Sequence, residues 1–144
     1  MENRIVIVGA GHAGGMVAIM LRRLKFKGSI IIIGNEIYPP YQRPALSKGF
    51  LSGEVDMERL FLKKDSFYKK NNISLVLGRE VERINRKDKN LILDNKEIVS
   101  YSKLVIATGS KVIKLEENSE DSNLNYIRDI NHSKKLSSQI NSSK

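Results

Sequence analysis

The sequence of 144 residues contains no cysteine. It therefore cannot form a disulfide, bind a metal through thiolates or carry a redox-active dithiol, and any redox chemistry must come from a bound cofactor. Long apolar runs are missing as well, since the run at residues 30–33, like every other, is far shorter than the roughly 20 residues that cross a bilayer. The first residues do not show the positively charged segment followed by an apolar segment that is typical of a secretory signal. We expect a cytoplasmic protein without a membrane segment.

Acidic residues are fewer than basic ones, with 16 Asp and Glu against 25 Lys and Arg, which gives a net charge of +9. Such a balance would suit nucleic acid or an acidic protein. The lysines are, however, spread along the chain, with no arginine-rich block. We interpret the charge as a compositional bias towards Lys, Asn and Ile and expect no nucleic-acid partner, with nucleic acid as the weaker alternative.

Apolar residues near the start follow the order strand, helix, strand. Residues 4–8 predict a buried strand and residues 12–25 a helix. The apolar face predicted for this helix contains Ala13, Val17, Met20, Leu21 and Leu24. Residues 29–33 predict a second strand that is apolar on both faces, as in parallel sheets covered by helices. The segment is therefore predicted to be a βαβ unit.

Proline is confined to residues 39–44, where YPPYQRP predicts a rigid loop. A short helical turn over 45–51, a helix over 66–71 capped by Asp65, and a strand over 73–78 are predicted to follow. Residues 80–100 show short strands separated by polar turns, as in an antiparallel meander, and KLVIATG predicts a closing parallel strand. We predict an α/β Rossmann-like domain over residues 1–110, with a β-meander insertion, and a linker with a weak helix over 111–144.

Three spaced glycines follow the first strand directly and open the first helix, as Gly9-x-Gly11-x-x-Gly14. Gly9 would permit the tight turn, Gly11 would let the backbone approach a pyrophosphate, and Gly14 would let helix and strand pack closely. The helix N-terminus would then offer N–H groups and a partial positive charge to the anion.

Glu36 follows Gly14 by about 20 residues, at the end of the second predicted strand. A carboxylate there can accept hydrogen bonds from both hydroxyls of a ribose and would repel a 2′-phosphate. The pattern therefore favours an adenine dinucleotide, NAD or FAD, over a glycine-rich turn without a ligand. In place of further βαβ units, the proline loop and the meander follow, which favours FAD.

Four motifs in order carry a family resemblance: VGAGHAGG, IIIIGNEIYPPYQRPALSK, the meander, and YSKLVIATGS followed by YIRD. With these, the chain resembles the FAD-binding N-terminal part of the pyridine-nucleotide-dependent flavoprotein reductases. It is most similar to the ferredoxin reductase branch, which includes putidaredoxin, rhodocoxin and rubredoxin reductases. The resemblance covers essentially all 144 residues.

The resemblance implies a set of cofactor-binding residues. They are Gly9, Gly11, His12, Ala13, Gly14, Asn35, Glu36, Arg43, Pro44, Lys48, Val81, Ala107, Thr108, Gly109 and Arg128. The residues of the glycine loop would face the pyrophosphate and adenosine, and the residues after the second strand the ribose. No metal site is implied.

The remaining implied roles concern the flavin and the adenine. Arg43, Pro44 and Lys48 would contact the pyrophosphate and flavin, and Lys48 would stabilise the negative charge that a flavin gains on accepting a hydride. Val81 would line the adenine pocket. The three residues of the ATG motif would pass beside the cofactor, and Arg128 would follow on the linker.

Two positions depart from the family pattern: Asn35 replaces the usual acid, and Tyr101-Ser102 replaces a Tyr-Asp pair. Ribose recognition would therefore depend on Glu36. Neither position is implied to take part in the chemistry.

The family reaction passes electrons from NAD(P)H through FAD to a ferredoxin- or rubredoxin-type carrier. It requires a second nucleotide site, whereas the sequence has one glycine fingerprint. We therefore expect a truncated, N-terminal fragment that lacks the NAD(P)-binding domain, has an exposed sheet edge, binds FAD weakly, dissolves poorly and is inactive alone. The alternative is a non-catalytic nucleotide-binding module or subunit.

Overall fold

The computed structural model describes residues 3–115 and 124–143. The chain forms two compact units. The first consists of Met1–Tyr41 and Phe61–Gly109, and the second of Gln42–Leu60 and Ser110–Lys144.

The strands and helices alternate at first and then give way to consecutive strands. The strands are β1 (Arg4–Val8), β2 (Ser29–Gly34), β3 (Ile73–Leu77), β4 (Val81–Asn85), β5 (Asn90–Leu93), β6 (Ile98–Ser100) and β7 (Lys103–Ile106). The helices are α1 (His12–Arg23), α2 (Met57–Leu60), α3 (Asp65–Lys70) and α4 (Ile130–Ser142), with a 3₁₀ turn at Pro44–Ser47.

The first unit is built on a parallel sheet in the order β3-β2-β1-β7. A second, antiparallel sheet has the order β4-β5-β6. Both the βαβ unit and the meander were predicted, and the α/β Rossmann-like fold class is confirmed.

Side chains of the parallel sheet alternate between two apolar cores. On β1, Ile5 and Ile7 belong to a core with helical residues such as Ala18 and Tyr68. Their neighbours Val6 and Val8 belong to the other core, which includes Leu91, Leu93 and Val99 of the meander. Because successive side chains of a strand point to opposite faces, α1 and α3 cover one face of the sheet and the meander covers the other.

The buried face of α1 differs from the predicted one. Its buried residues are Gly14, Gly15, Ala18 and Ile19, whereas Met20 and Leu24 are 41% and 74% exposed. Val17 and Leu21 pack only at the margin of the core, and Ala13 is exposed. The observed buried face differs from the predicted one because the helix packs against the sheet through its glycines. A prediction from apolar spacing does not count glycines as buried residues.

Three predicted boundaries also shift. The first helix ends at Arg23, two residues early, and Lys25 has a positive φ of 60°. Asp65 is the first residue of α3 and not its cap; Lys64 holds the N-cap position, without a side-chain hydrogen bond. The turn predicted over 45–51 is a 3₁₀ turn at Pro44–Ser47.

Arg22 joins three segments at the end of the sheet where the parallel strands begin. Its guanidinium donates to the carbonyls of Phe26 and Gly28 at 2.5 and 2.9 Å, and to those of Asn71 and Asn72 at 2.6 and 2.8 Å. These carbonyls belong to the links that lead into β2 and β3. One cation therefore anchors the end of α1 to the starts of two strands.

The second unit contains α4, which was predicted as a weak helix. Asp129 caps it, accepting a hydrogen bond of 2.8 Å from the backbone N–H of His132. Ser133 is fully buried and donates to the carbonyl of Leu46 in the 3₁₀ turn at 2.6 Å. The helix is thus held by a cap and by a segment distant in sequence. Residues 116–123 of the predicted linker lie outside the described residues.

Across residues 3–115 and 124–143, none of the helices combines the length and the apolar character that a bilayer crossing needs.

We expect Arg22→Met to lower the free energy of unfolding by about 2–4 kcal/mol, because four carbonyls lose a charged donor. Arg23→Met is the matched control, since Arg23 occupies the same helix end but is exposed, and its hydrogen bond within the described part of the chain is a weak one of 3.9 Å to the sulfur of Met20. It should change stability by less than about 0.5 kcal/mol. Urea unfolding followed by circular dichroism measures both, and equal losses would contradict the anchoring role.

The raised pKa of Tyr68 predicts that the protein loses stability at high pH. Burial, with a smaller contribution from Asp65, raises the pKa of Tyr68 to about 12. An unfolded tyrosine ionises near pH 10, so the unfolded state alone loses this proton between about pH 10 and 12, and stability falls as the pH rises through that range. The decline should be shallower in Tyr68→Phe, as measured by unfolding midpoints at pH 7, 10 and 11.

At pH 7, Tyr68→Phe should be at least as stable as the unmodified chain. The hydroxyl of Tyr68 is buried without a hydrogen-bond partner among the described residues, and removing it ends a desolvation cost. Identical pH profiles for both chains would refute this account.

Candidate functional site

The glycine loop is held at the carboxyl end of β1. Gly9 has a φ of +115°, and its N–H donates to the carbonyl of Ile33 at 2.7 Å. A Cβ at this position would lie 2.1 Å from the carbonyl oxygen of Ala107. The tight turn therefore depends on glycine both for its backbone conformation and for the space beside it, as predicted.

Gly14 and Gly15 admit close packing in the first turn of α1. A Cβ on Gly14 would lie 1.9 Å from the carbonyl oxygen of Gly9, which confirms the predicted packing role. A Cβ on Gly15 would lie 2.4 Å from Cβ of Pro40 and 2.8 Å from Cδ1 of Leu62. The importance of Gly15 was missed in the sequence, because its neighbours come from a distant loop.

Gly11 differs from the other two glycines of the fingerprint. Among the residues that the structure describes, no atom lies within 4 Å of where a Cβ of Gly11 would be, so the space beside it is open. Gly11 is the N-cap of α1 and has no side chain to cap the helix, and the first turn contains no acidic residue. His12 and Ala13 are exposed. An uncapped helix end with room beside it fits a phosphate anion, which would accept the N–H groups of the first turn.

Glu36 lies just beyond the end of β2 and is half-buried, whereas Asn35 is exposed. The carbonyl of Glu36 accepts a hydrogen bond of 3.1 Å from the N–H of Gly78, at the end of β3. One carboxylate oxygen, Oε2, accepts a hydrogen bond of 2.5 Å from the hydroxyl of Tyr41. The carboxylate is therefore held by a side chain that was not among the predicted site residues.

The other site residues predicted in the first unit lie at the ends of its strands. Val81 begins β4 and packs, half-buried, against the core beneath the meander. Ala107 follows β7, and its N–H donates to the carbonyl of Val8 at 2.7 Å. Thr108 and Gly109 are exposed, and Gly109 has a φ of +71°. Their contact with a cofactor stays a prediction.

Four predicted residues belong to the second unit. Arg43, which precedes the 3₁₀ turn, donates from Nη1 to the carbonyl of Arg128, and both residues are half-buried. Pro44 opens the turn. Lys48 closes it and is exposed, with its N–H donating to the carbonyl of Ala45 at 3.1 Å. The link between Arg43 and Arg128 was not visible in the sequence.

Comparison with known proteins decides the family. The family model for the pyridine nucleotide-disulphide oxidoreductases matches residues 3–144 of this chain. The chain belongs to this family. Within it, 50% identity over 110 residues relates the chain to a probable ferredoxin reductase from Castellaniella defragrans, covering 76% of this chain and 27% of that protein.

Further relatives agree with this assignment. A rubredoxin-NAD(+) reductase from Pseudomonas putida is 41% identical over 133 residues, which are 92% of this chain and 34% of the relative. Among solved structures, the covalent putidaredoxin reductase–putidaredoxin complex superimposes with a TM-score of 0.90 at 33% identity, over 96% of this chain and 34% of that one. The chain thus spans about a third of the length of the oxidoreductases that it matches.

We expect Gly15→Ala to destabilise the protein by about 1–3 kcal/mol, because the added methyl group overlaps Pro40 and Leu62. This loss should exceed the gain of about 1 kcal/mol that alanine gives a helix interior. Gly11→Ala is the control, with ordinary backbone angles and open space, and should cost less than about 1 kcal/mol. Thermal unfolding of both variants tests the difference, and equal stabilities would contradict it.

Proposed function

We propose that this chain is the FAD-binding portion of an NAD(P)H-dependent flavoprotein reductase that passes electrons to a ferredoxin- or rubredoxin-type carrier. The observation that carries the proposal is the uncapped N-terminus of α1, with open space beside Gly11. The placement of Glu36 just beyond the neighbouring strand supports it. The names of the relatives, which are ferredoxin and rubredoxin reductases, support the reaction class.

The residues of the first unit would bind the adenosine half of FAD. The first N–H groups of α1, from Gly11 to Gly14, would hold the pyrophosphate, helped by the partial positive charge of the helix end. Glu36 would accept the ribose hydroxyls, with Asn35 beside it, and Val81 would contact the adenine. Ala107, Thr108 and Gly109 would offer backbone to the cofactor.

The residues of the second unit carry the proposed contacts to the flavin half. Arg43 would bind a phosphate oxygen through its guanidinium, with Pro44 restricting its loop. Lys48 would place a positive charge where a reduced flavin accumulates negative charge. Arg128 would support Arg43 through the carbonyl that it offers to Nη1. When bound, FAD supplies the conversion of a two-electron hydride into single electrons.

NAD(P)H would be bound by a segment outside these 144 residues, because the sequence holds a single glycine fingerprint. The chain also covers only about a third of the reductases that it matches. On this proposal the present residues bind and orient the flavin, and hydride delivery needs the second nucleotide site.

Flavin titration tests the proposal directly. We expect the chain to bind FAD, and to bind FMN at least about tenfold more weakly, because FMN lacks the adenosine half that the first unit would recognise. Gly11→Ala should weaken FAD binding at least about tenfold by filling the space beside the helix end, with little change in the unfolding midpoint. Quenching of flavin fluorescence measures all three affinities.

Two results would count against the proposal: equal affinities for FAD and FMN, or an unchanged FAD affinity in Gly11→Ala. A version of the protein that also carries a second nucleotide-binding domain should bind FAD more tightly. Equal affinity of the two versions would show that the 144 residues already contain the whole flavin site.

A further inference from the structure

Tyr41 is one of the largest fully buried side chains, at 1% exposure. Its hydroxyl donates to Oε2 of Glu36 at 2.5 Å. A hydroxyl that donates to a carboxylate at this distance makes a charge-assisted hydrogen bond, about twice as strong as a neutral one. The contact is therefore a directional constraint on the carboxylate.

The backbone around Tyr41 is itself held in place. Tyr41 forms an antiparallel bridge with Phe61, and the N–H of Leu62 donates to the carbonyl of Pro40 at 2.9 Å. Pro40 is buried, and its Cβ lies 2.4 Å from where a Cβ of Gly15 would be. The loop thus packs against the first turn of α1. The backbone of Tyr41 is therefore held in place on both sides of the residue.

Glu36 needs such a constraint to act as a selective acceptor. A glutamate side chain loses up to about 2 kcal/mol of rotamer entropy when it is fixed. The backbone of Glu36 is fixed by the hydrogen bond to Gly78, but that bond does not orient the carboxylate. The bond from Tyr41 does, before any ligand arrives.

We propose that Tyr41 is a positioning residue for the ribose site. It holds Oε2 of Glu36 and thereby orients the carboxylate towards the vicinal hydroxyls of an adenosine ribose. The proposal rests on the proposed function, in which this strand end receives the adenosine half of FAD.

The test compares ligands that differ only at the ribose. The unmodified chain should bind ADP at least about tenfold more tightly than 2′-deoxy-ADP, because a site built to pair a hydroxyl rejects the analogue that lacks it. In Tyr41→Phe the preference should fall to threefold or less, mainly through weaker ADP binding, because ADP pairs two hydroxyls with the carboxylate and 2′-deoxy-ADP pairs one. Isothermal titration calorimetry gives both affinities.

Further variants test whether Tyr41 acts through Glu36. Glu36→Gln should lose the same preference, and adding Tyr41→Phe to it should cause no further loss, because the two side chains act as a unit. Tyr101→Phe removes a tyrosine hydroxyl elsewhere in the same unit, from a residue packed against the second core. It should leave the preference at its original value.

Each outcome separates the two proposals. A chain that binds neither FAD nor ADP overturns the proposed function together with this inference. A chain that prefers ADP but keeps its preference in Tyr41→Phe, or loses affinity for both ligands equally, overturns the positioning role alone. A Tyr41→Phe chain that fails to fold also overturns it, since the hydroxyl would then be a requirement of the fold.

Discussion

The fold of the first unit depends on two backbone contacts that admit no side chain. The carbonyl of Ala107 lies where Gly9 would carry a Cβ, and the carbonyl of Gly9 lies where Gly14 would carry one. These contacts bring the end of β1, the residues after β7 and the first turn of α1 together. The open side of the helix N-terminus is a consequence, because the turn that precedes it cannot relax towards the sheet.

Opposite electrostatic preferences are fixed at the ends of two adjacent strands. The first turn of α1, after β1, presents uncapped N–H groups and no carboxylate. The segment after β2 presents the carboxylate of Glu36, held by Tyr41. Phosphates accept hydrogen bonds and ribose hydroxyls donate them, so a nucleotide would satisfy both ends at once. On the function proposed above, the helix end and the buried tyrosine would serve the same ligand.

The sequence was most informative where a local pattern determines the structure. The βαβ unit, the meander and the roles of Gly9 and Gly14 were predicted because strand alternation, turn residues and glycine spacing are local signals. The prediction of the buried face of α1 was wrong at Met20 and Leu24. An apolar residue of a helix contacts the core only if the helix packs against the sheet on that side.

The site features that escaped prediction all depend on contacts distant in sequence. Gly15 needs Pro40 and Leu62, and Arg43 needs the carbonyl of Arg128. Tyr41 lies close to Glu36 in sequence, but its direction is set by the bridge to Phe61. No periodicity encodes such pairings, and they emerge only when the chain is folded.

Arg22 lies at the opposite end of α1 from the glycine loop, where the parallel strands begin. The helix therefore has a structural end, closed by one guanidinium, and a receptive end, open to an anion. Substitutions that strengthen the first end need not alter the second, since the length of the helix separates them. Robustness and ligand selection can thus evolve independently within one short βαβ unit.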